Sequence, residues 1–277
     1  MNKKWGGRIR FRYYLWAPLI LILVVELFPI YWMTTMALKS PADAEAYPPI
    51  LVPSTLTLDN FKMIFKTMPF GRYTFNSLIV ALGTTLISIL FGVSAAYGIV
   101  RTGSQKRLGM TILFSRIVPL LICLIPWFKF LASLRLANTY TALIATHLVT
   151  SVPLVIWIMV GFFEDLDKEF EEAALADGCS RFGCFWRIAV PLASQGIIVS
   201  SLLTFIMSWN DFIRAVIFAG PMTRTLPAAI FNVMTFENME WGPLAAAGFL
   251  VTFPMILVTL GLQRYIVAGL TTGGLKG

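Results

Sequence analysis

The sequence predicts an all-α integral membrane protein with six transmembrane helices, both termini in the cytoplasm and a short helix in one cytoplasmic loop. Three observations lead there. Of 277 residues, 57% are apolar and 13% charged, against about 25% charged in an ordinary soluble domain, and the mean hydropathy is +0.77. The apolar residues collect in six long segments, roughly 13–36, 74–100, 110–134, 141–163, 196–219 and 243–267. Lys and Arg gather on one side of those segments. A soluble core this apolar would leave large apolar patches in water, so composition excludes a soluble enzyme, a disordered chain and a disulfide scaffold. At roughly 20 residues per span, six helices take about 120 residues, which leaves too little chain for a large extra domain.

Each segment is long and continuous, whereas strands of a membrane barrel would be about half that length and alternate. A helix also satisfies its own backbone hydrogen bonds inside the bilayer. Residues 1–12 carry Lys3, Lys4, Arg8, Arg10 and Arg12, which resembles a signal-peptide n-region. The apolar run that follows is too long for an h-region and no small-x-small site closes it, so the first helix is expected to be retained. The loop at 37–73 holds Pro41, Pro48, Pro49 and Pro53 and cannot be one helix. The 101–109 loop is short and basic (Arg101, Lys106, Arg107), and the 220–242 loop carries Pro221, Pro227, Glu237 and Glu240. With both ends on one side, that side holds thirteen Lys and Arg and the other six. The excess assigns the termini to the cytoplasm. It also explains the net charge of +8 as a topology signal rather than a nucleic-acid surface.

The longest cytoplasmic loop, 164–195, is not random. The run Glu164 to Gly178 reads as a helix with an acidic first turn, which suits the positive end of the helix dipole. Gly178 supplies a left-handed stop, and Ser180 can cap a second short helix, Arg181 to Ala189. Phe182, Phe185 and Trp186 are apolar residues in an aqueous loop and need a cover. Two readings stand open from the residues: a helix lying on the membrane surface, or a docking helix for a partner's groove.

Much chemistry is missing. No GxxxxGK[ST] phosphate loop, HExxH or GxSxG occurs, so no nucleotide site and no catalytic nucleophile can be assigned. Cys123, Cys179 and Cys184 form no CxxC pair, and His147, in an apolar stretch, has no second ligand at metal-site spacing. Charges within spans are functional candidates by default. Here they are Glu26, Arg116, Lys129, Asp211 and Arg214. Packing or topology suits Glu26 and Lys129. Asp211 and Arg214 stand i, i+3 and can pair, so a structural ion pair and a substrate role are both open. Arg116 lies one turn from Pro119, where a kink would free backbone carbonyls.

Several stretches carry a family resemblance that covers nearly the whole chain. Glu172-Ala173-Ala174-x-x-Asp177-Gly178 followed by Ile188-x-x-Pro191 resembles the EAA loop of permease subunits of bacterial ABC importers. Leu38-Lys39 at the end of the first helix, the stretch Leu56 to Phe65, Asn76-Ser77, Leu136-x-Asn138-Thr139-Tyr140, Trp209-Asn210-Asp211-Phe212 and Thr225-Leu226-Pro227 resemble the carbohydrate-uptake, maltose-importer kind. The glycine-rich end, Gly269 to Gly277, is similar to the tail of the smaller permease. The resemblance implies a multi-pass protein of the bacterial inner membrane that is not itself an enzyme. It implies a permease domain over 13–267 and a cytoplasmic tail over 268–277. The implied partners are a second homologous permease, two copies of an ATPase that holds ATP and Mg, a periplasmic solute-binding protein and membrane lipid. It implies ATPase coupling through Glu172, Ala173, Ala174, Asp177, Gly178 and the tail with Lys276. Alternating access would then carry a sugar past Arg116, Trp209, Asn210, Asp211, Arg214 and Asn76. This chain departs from the usual WNEF pattern by reading Trp209-Asn-Asp-Phe-Ile-Arg214. Arg suits bidentate recognition of a carboxylate or sulfonate, which points to an acidic or sulfonated sugar or its glycoside. The alternative is a stand-alone secondary transporter or channel, which would show internal repeats or paired broken helices.

Overall fold

The computed structural model describes residues 4–104, 111–112, 120–231 and 240–273, with side chains described between 16 and 263. The described residues are helical and turn, with no strand among them. The chain divides into two units, Met1–Pro69 with Asn232–Phe253, and Phe70–Phe231 with Pro254–Gly277.

The first unit begins with α1, Lys4–Ala37. Its side chains from Trp16 to Ile30 are exposed all round, the pattern of a helix that meets an apolar surrounding on every face. Glu26 is exposed among them. The helix ends at Leu38-Lys39, and the reason lies downstream. The Asn60 amide donates to both Ala37 O and Lys39 O at 2.9 Å, which satisfies carbonyls that a helix end leaves free. The Lys39 ammonium sits 4.3 Å from the centre of the Trp32 ring, a cation–π contact. Ser40 caps the short α2, Pro41–Ala44, and Asn60 itself stands in α3, Asp59–Thr67. Gly242, in the first turn of the long α13 (Trp241–Gly273), lies so close that an added Cβ would fall 2.6 Å from Asn60 Oδ1. The prolines do break this stretch into short pieces, as the sequence predicts.

The second unit holds a three-helix core made of α4 (Phe70–Arg101), α6 (Tyr140–Glu164) and α10 (Ser194–Trp209). The buried face of α4 presents Ser77, Ala81, Thr84, Ser88, Gly92 and Ala96, small residues at three- and four-residue spacing. Such residues let helix backbones approach closely where lipid offers no hydrophobic drive between helices. At Gly92 a Cβ would meet Val155 Cγ1 at 2.6 Å, and at Gly196 it would meet Phe162 at 2.6 Å. The 110–134 segment contributes α5, Leu120–Ser133, with residues 111–112 described apart from it. The unit also holds two short helices after α10, α11 (Ile213–Phe218) and α12 (Leu226–Ile230).

Among the described residues, four helices are long and apolar enough to cross a membrane: Trp16–Ala37, Phe70–Arg101, Tyr140–Glu164 and Trp241–Gln263. A fifth is counted if Arg181–Leu192 and Ser194–Trp209, bent by 75°, form one span. The fifth apolar segment differs from the expected continuous helix. It breaks at 210–212, where Asn210 N still closes on Ile206 O at 3.1 Å and the chain then leaves the helix.

The 164–195 loop also differs in detail. Its first helix, α7, runs Glu169–Ala176 rather than from Glu164, because α6 itself continues to Glu164. The acidic first turn is there, as Glu169, Glu171 and Glu172. Gly178 takes φ +87° and Ser180 Oγ accepts from Gly183 N at 3.1 Å. The second helix, α8 (Arg181–Cys184), passes into a π-helical turn, Phe185–Ala189, and then into α9, Val190–Leu192, which contains Pro191. Phe185 and Ala189 of that turn enter the α4–α6 core.

Candidate functional site

Two places in the second unit gather polar chemistry. The first is a cavity of about 450 Å³ between α5, α6 and the broken end of α10. Trp127 and Cys123 come from α5, His147, Thr150 and Ser151 from α6, and Ser208, Asp211 and Arg214 from the break. The volume falls in the range of small-molecule sites.

The break positions the charges. Released from the helix, Asp211 turns its carboxylate back onto the start of α11. Its Oδ1 accepts from Arg214 N at 2.8 Å and its Oδ2 from Arg214 Nη1 at 2.6 Å. Arg214 Nη2 donates to Thr150 Oγ1 at 2.9 Å, which ties the break to α6. His147 Nδ1 lies 2.7 Å from Ser208 Oγ, while its Nε2 stands 3.8 Å from Asp211 Oδ1, outside bonding distance. His147 Nε2 and Arg214 Nε are both buried with no hydrogen-bond partner. Buried groups without partners are costly. Of the two, His147 Nε2 faces the Asp211 carboxylate at 3.8 Å.

The other sequence candidates fall elsewhere. Trp209 is buried and stacked on Phe205, with ring centres 6.1 Å apart. Asn210 is exposed at the break. Asn76 is buried and fully engaged: its Nδ2 donates to Met222 O at 3.0 Å and Arg224 O at 2.8 Å, and its Oδ1 accepts from Tyr140 at 2.6 Å. It fastens the 220–225 turn to α4 and α6. Lys129 is exposed. Arg116 and Lys276 lie outside the described residues.

The second place is α7. One face of it is anchored and the other is bare. Glu171 is buried and receives Arg101 Nη2 at 2.5 Å, Arg101 Nε at 3.0 and 3.1 Å, and the Tyr97 hydroxyl at 2.7 Å. Both donors stand in the last turns of α4. Glu172, Ala173, Asp177 and Gly178 are exposed, Ala174 is half-buried, and Phe170, Leu175 and Phe182 are 55%, 42% and 73% exposed.

Asp211 and Arg214 stand out in the sequence as charges within a span, whereas His147, Thr150 and Ser208 do not stand out there as lining the same cavity. A signal was available, since Thr150 and Ser151 follow His147 within one turn of an otherwise apolar helix. The sequence pattern likewise singles out Glu172 and not Glu171, and shows Arg101 as a topology charge alone.

Comparisons with known proteins show the family. A family model described as the inner membrane component of binding-protein-dependent transport systems matches residues 88–272, which include α7 and the cavity. The sulfoquinovosyl glycerol transport system permease protein of Agrobacterium fabrum is 35% identical over 261 residues, 93% of this chain and 91% of that protein. The trehalose transport system permease protein of Mycobacterium tuberculosis is 33% identical over 269 residues, 95% of this chain and 97% of that protein. A solved bacterial ABC transporter involved in import of the acidic polysaccharide alginate shares the fold, with a TM-score of 0.78 at 21% identity over 96% of this chain and 99% of that one. This chain therefore belongs to the inner-membrane permease components of binding-protein-dependent ABC transport systems.

Proposed function

We propose that the chain is the permease subunit of an ATP-driven importer that moves a sugar or sugar derivative across the cytoplasmic membrane by alternating access. The observation that carries this reading is the two-faced α7, held to α4 through Glu171 and bare along Glu172, Ala173, Asp177 and Gly178. A helix with an unpartnered, small-residue outer face flanked by Phe170, Leu175 and Phe182 suits a groove in a second protein. In this reading the groove belongs to an ATPase, present as two copies, which holds ATP and Mg. A second homologous permease completes the membrane path and a periplasmic binding protein delivers the sugar. Six spans with both termini cytoplasmic place α7 and the tail with Lys276 on the ATPase side. The sugar permease relatives support the substrate class.

The finer reading is a saccharide carrying a carboxylate or sulfonate, with Arg214 as its reader. The Asp211 pair sets a condition on it. The anion must share the guanidinium with Asp211, whose carboxylate can turn towards His147, 3.8 Å away. The name of the Agrobacterium relative, a transporter of a sulfonated glycoside, favours this reading. Uptake by the reconstituted complex tests it. Arg214→Ala should cut uptake of a sulfonated or uronic glycoside by roughly 30-fold or more and spare a neutral disaccharide. Unchanged uptake of the anionic substrate would sink the anionic reading.

A further inference from the structure

The structure assigns Glu171 a role that its neighbour in the EAA-like run does not have: it is the positioning residue that makes α7 and α4 move as one body. This rests on the reading of α7 as the ATPase dock.

The geometry is unusual for a surface loop. The Glu171 carboxylate is 6% exposed as a residue and accepts four charge-assisted or hydroxyl hydrogen bonds, all from α4. Arg101 reaches further, donating from Nη1 to Phe163 O at 3.4 Å in the last turn of α6. The Tyr97 ring packs edge-on against Phe163 at 5.5 Å and, tilted by 48°, against Phe185 of the π-helical turn at 4.9 Å. Four elements thus meet around this carboxylate and its two donors. A docking helix held only by apolar contacts could slide along the bundle when a partner pulled it. A buried carboxylate gripped by a guanidinium fork and a phenol cannot slide, because any displacement strands a buried charge. The α4 helix carries the residues that pack the core, Gly92 against Val155 among them. A force on α7 is therefore delivered to the α4–α6 pair rather than lost in the loop.

The test uses the full complex of this chain with its partner permease, ATPase and binding protein, in proteoliposomes. The readout is the ratio of solute transported to ATP hydrolysed. Tyr97→Phe removes only a hydroxyl, and Glu171→Gln keeps the shape of the side chain while removing its charge. Both should leave ATPase co-purifying with the permease, and the ratio should fall by roughly 3- to 30-fold, less for Tyr97→Phe. The exchange Arg101→Glu with Glu171→Arg should recover part of the ratio lost by either change alone. A ratio unchanged in Glu171→Gln and Tyr97→Phe, in complexes that retain the ATPase, overturns the role of Glu171. ATPase that fails to co-purify with the unaltered chain overturns the docking reading itself, and this role with it.

Discussion

The Arg214 guanidinium and the Asp211 carboxylate meet at 2.6 Å across a break in the fifth apolar segment, and Arg214 holds Thr150 of α6 with its other terminal nitrogen. The i, i+3 spacing suggested a pair on one helix face. The pair instead forms because the helix stops at Trp209 and Asp211 folds back onto Arg214 N. The break is thereby fixed by the same two charges that line the cavity.

Replacing Asp211 by Asn should destabilise the permease by about 3 kcal/mol, since it leaves a buried guanidinium without its counter-charge. Replacing both Asp211 and Arg214 by neutral residues of similar size should cost less than either single change. Thermal unfolding in detergent of the two single variants and the double variant checks this, and additive losses would contradict a coupled pair.

Asn76 is a structural clamp in this geometry. Asn76→Ala removes three hydrogen bonds and leaves the Met222 and Arg224 carbonyls to find other partners. A loss of roughly 2–4 kcal/mol is expected, seen as a lowered melting temperature and faster proteolysis at 220–225. Stability equal to the unaltered chain, combined with a changed substrate preference, would instead favour the pathway role expected from the sequence.

At Gly178 the effect of a side chain is isolated from sterics. A Cβ there meets nothing within 4 Å, yet φ is +87°. Gly178→Ala should therefore cost about 1–2 kcal/mol through backbone strain alone, relieved by unwinding the end of α7. Weaker co-purification of ATPase is the expected result, and Gly178→Asn should be milder, because Asn tolerates the left-handed region better.

Asp43 gives a pH prediction. The Ser54 hydroxyl and backbone N–H, both donating to its carboxylate, hold its pKa below 3.8. The folded value lies below the unfolded one, so the stabilisation is complete above about 3.8 and is lost as pH falls through the folded value. Proteolytic cleavage within 45–53 should be the same at pH 7 and pH 5 in the unaltered chain, and faster at both in Asp43→Ala. Protection that already fades between pH 7 and pH 5 would contradict the assignment.

The sequence made the long elements legible because apolar length is a local property. The spans at 74–100 and 141–163 sit within α4 and α6, and Gly178 and Ser180 act as the stop and cap their residue types suggest. What escaped depends on contacts between distant residues. Glu171 differs from Glu172 only in facing Arg101, 70 residues away. His147 differs from an ordinary core histidine through Ser208, 61 residues away. The break at 210–212 has no Pro or Gly to announce it, since Asp211 supplies the turn through its own side chain. The start of α7 moved because α6 runs on to Glu164.

The most direct test of the account is uptake of sugar into proteoliposomes by this chain with its partner permease, ATPase and binding protein, compared with the same vesicles lacking the ATPase. The account predicts accumulation that requires ATP, the ATPase and an intact α7, and that stops with Glu172→Lys. Sugar uptake by this chain in vesicles without ATPase, driven by an ion gradient or by the sugar gradient alone, would contradict it.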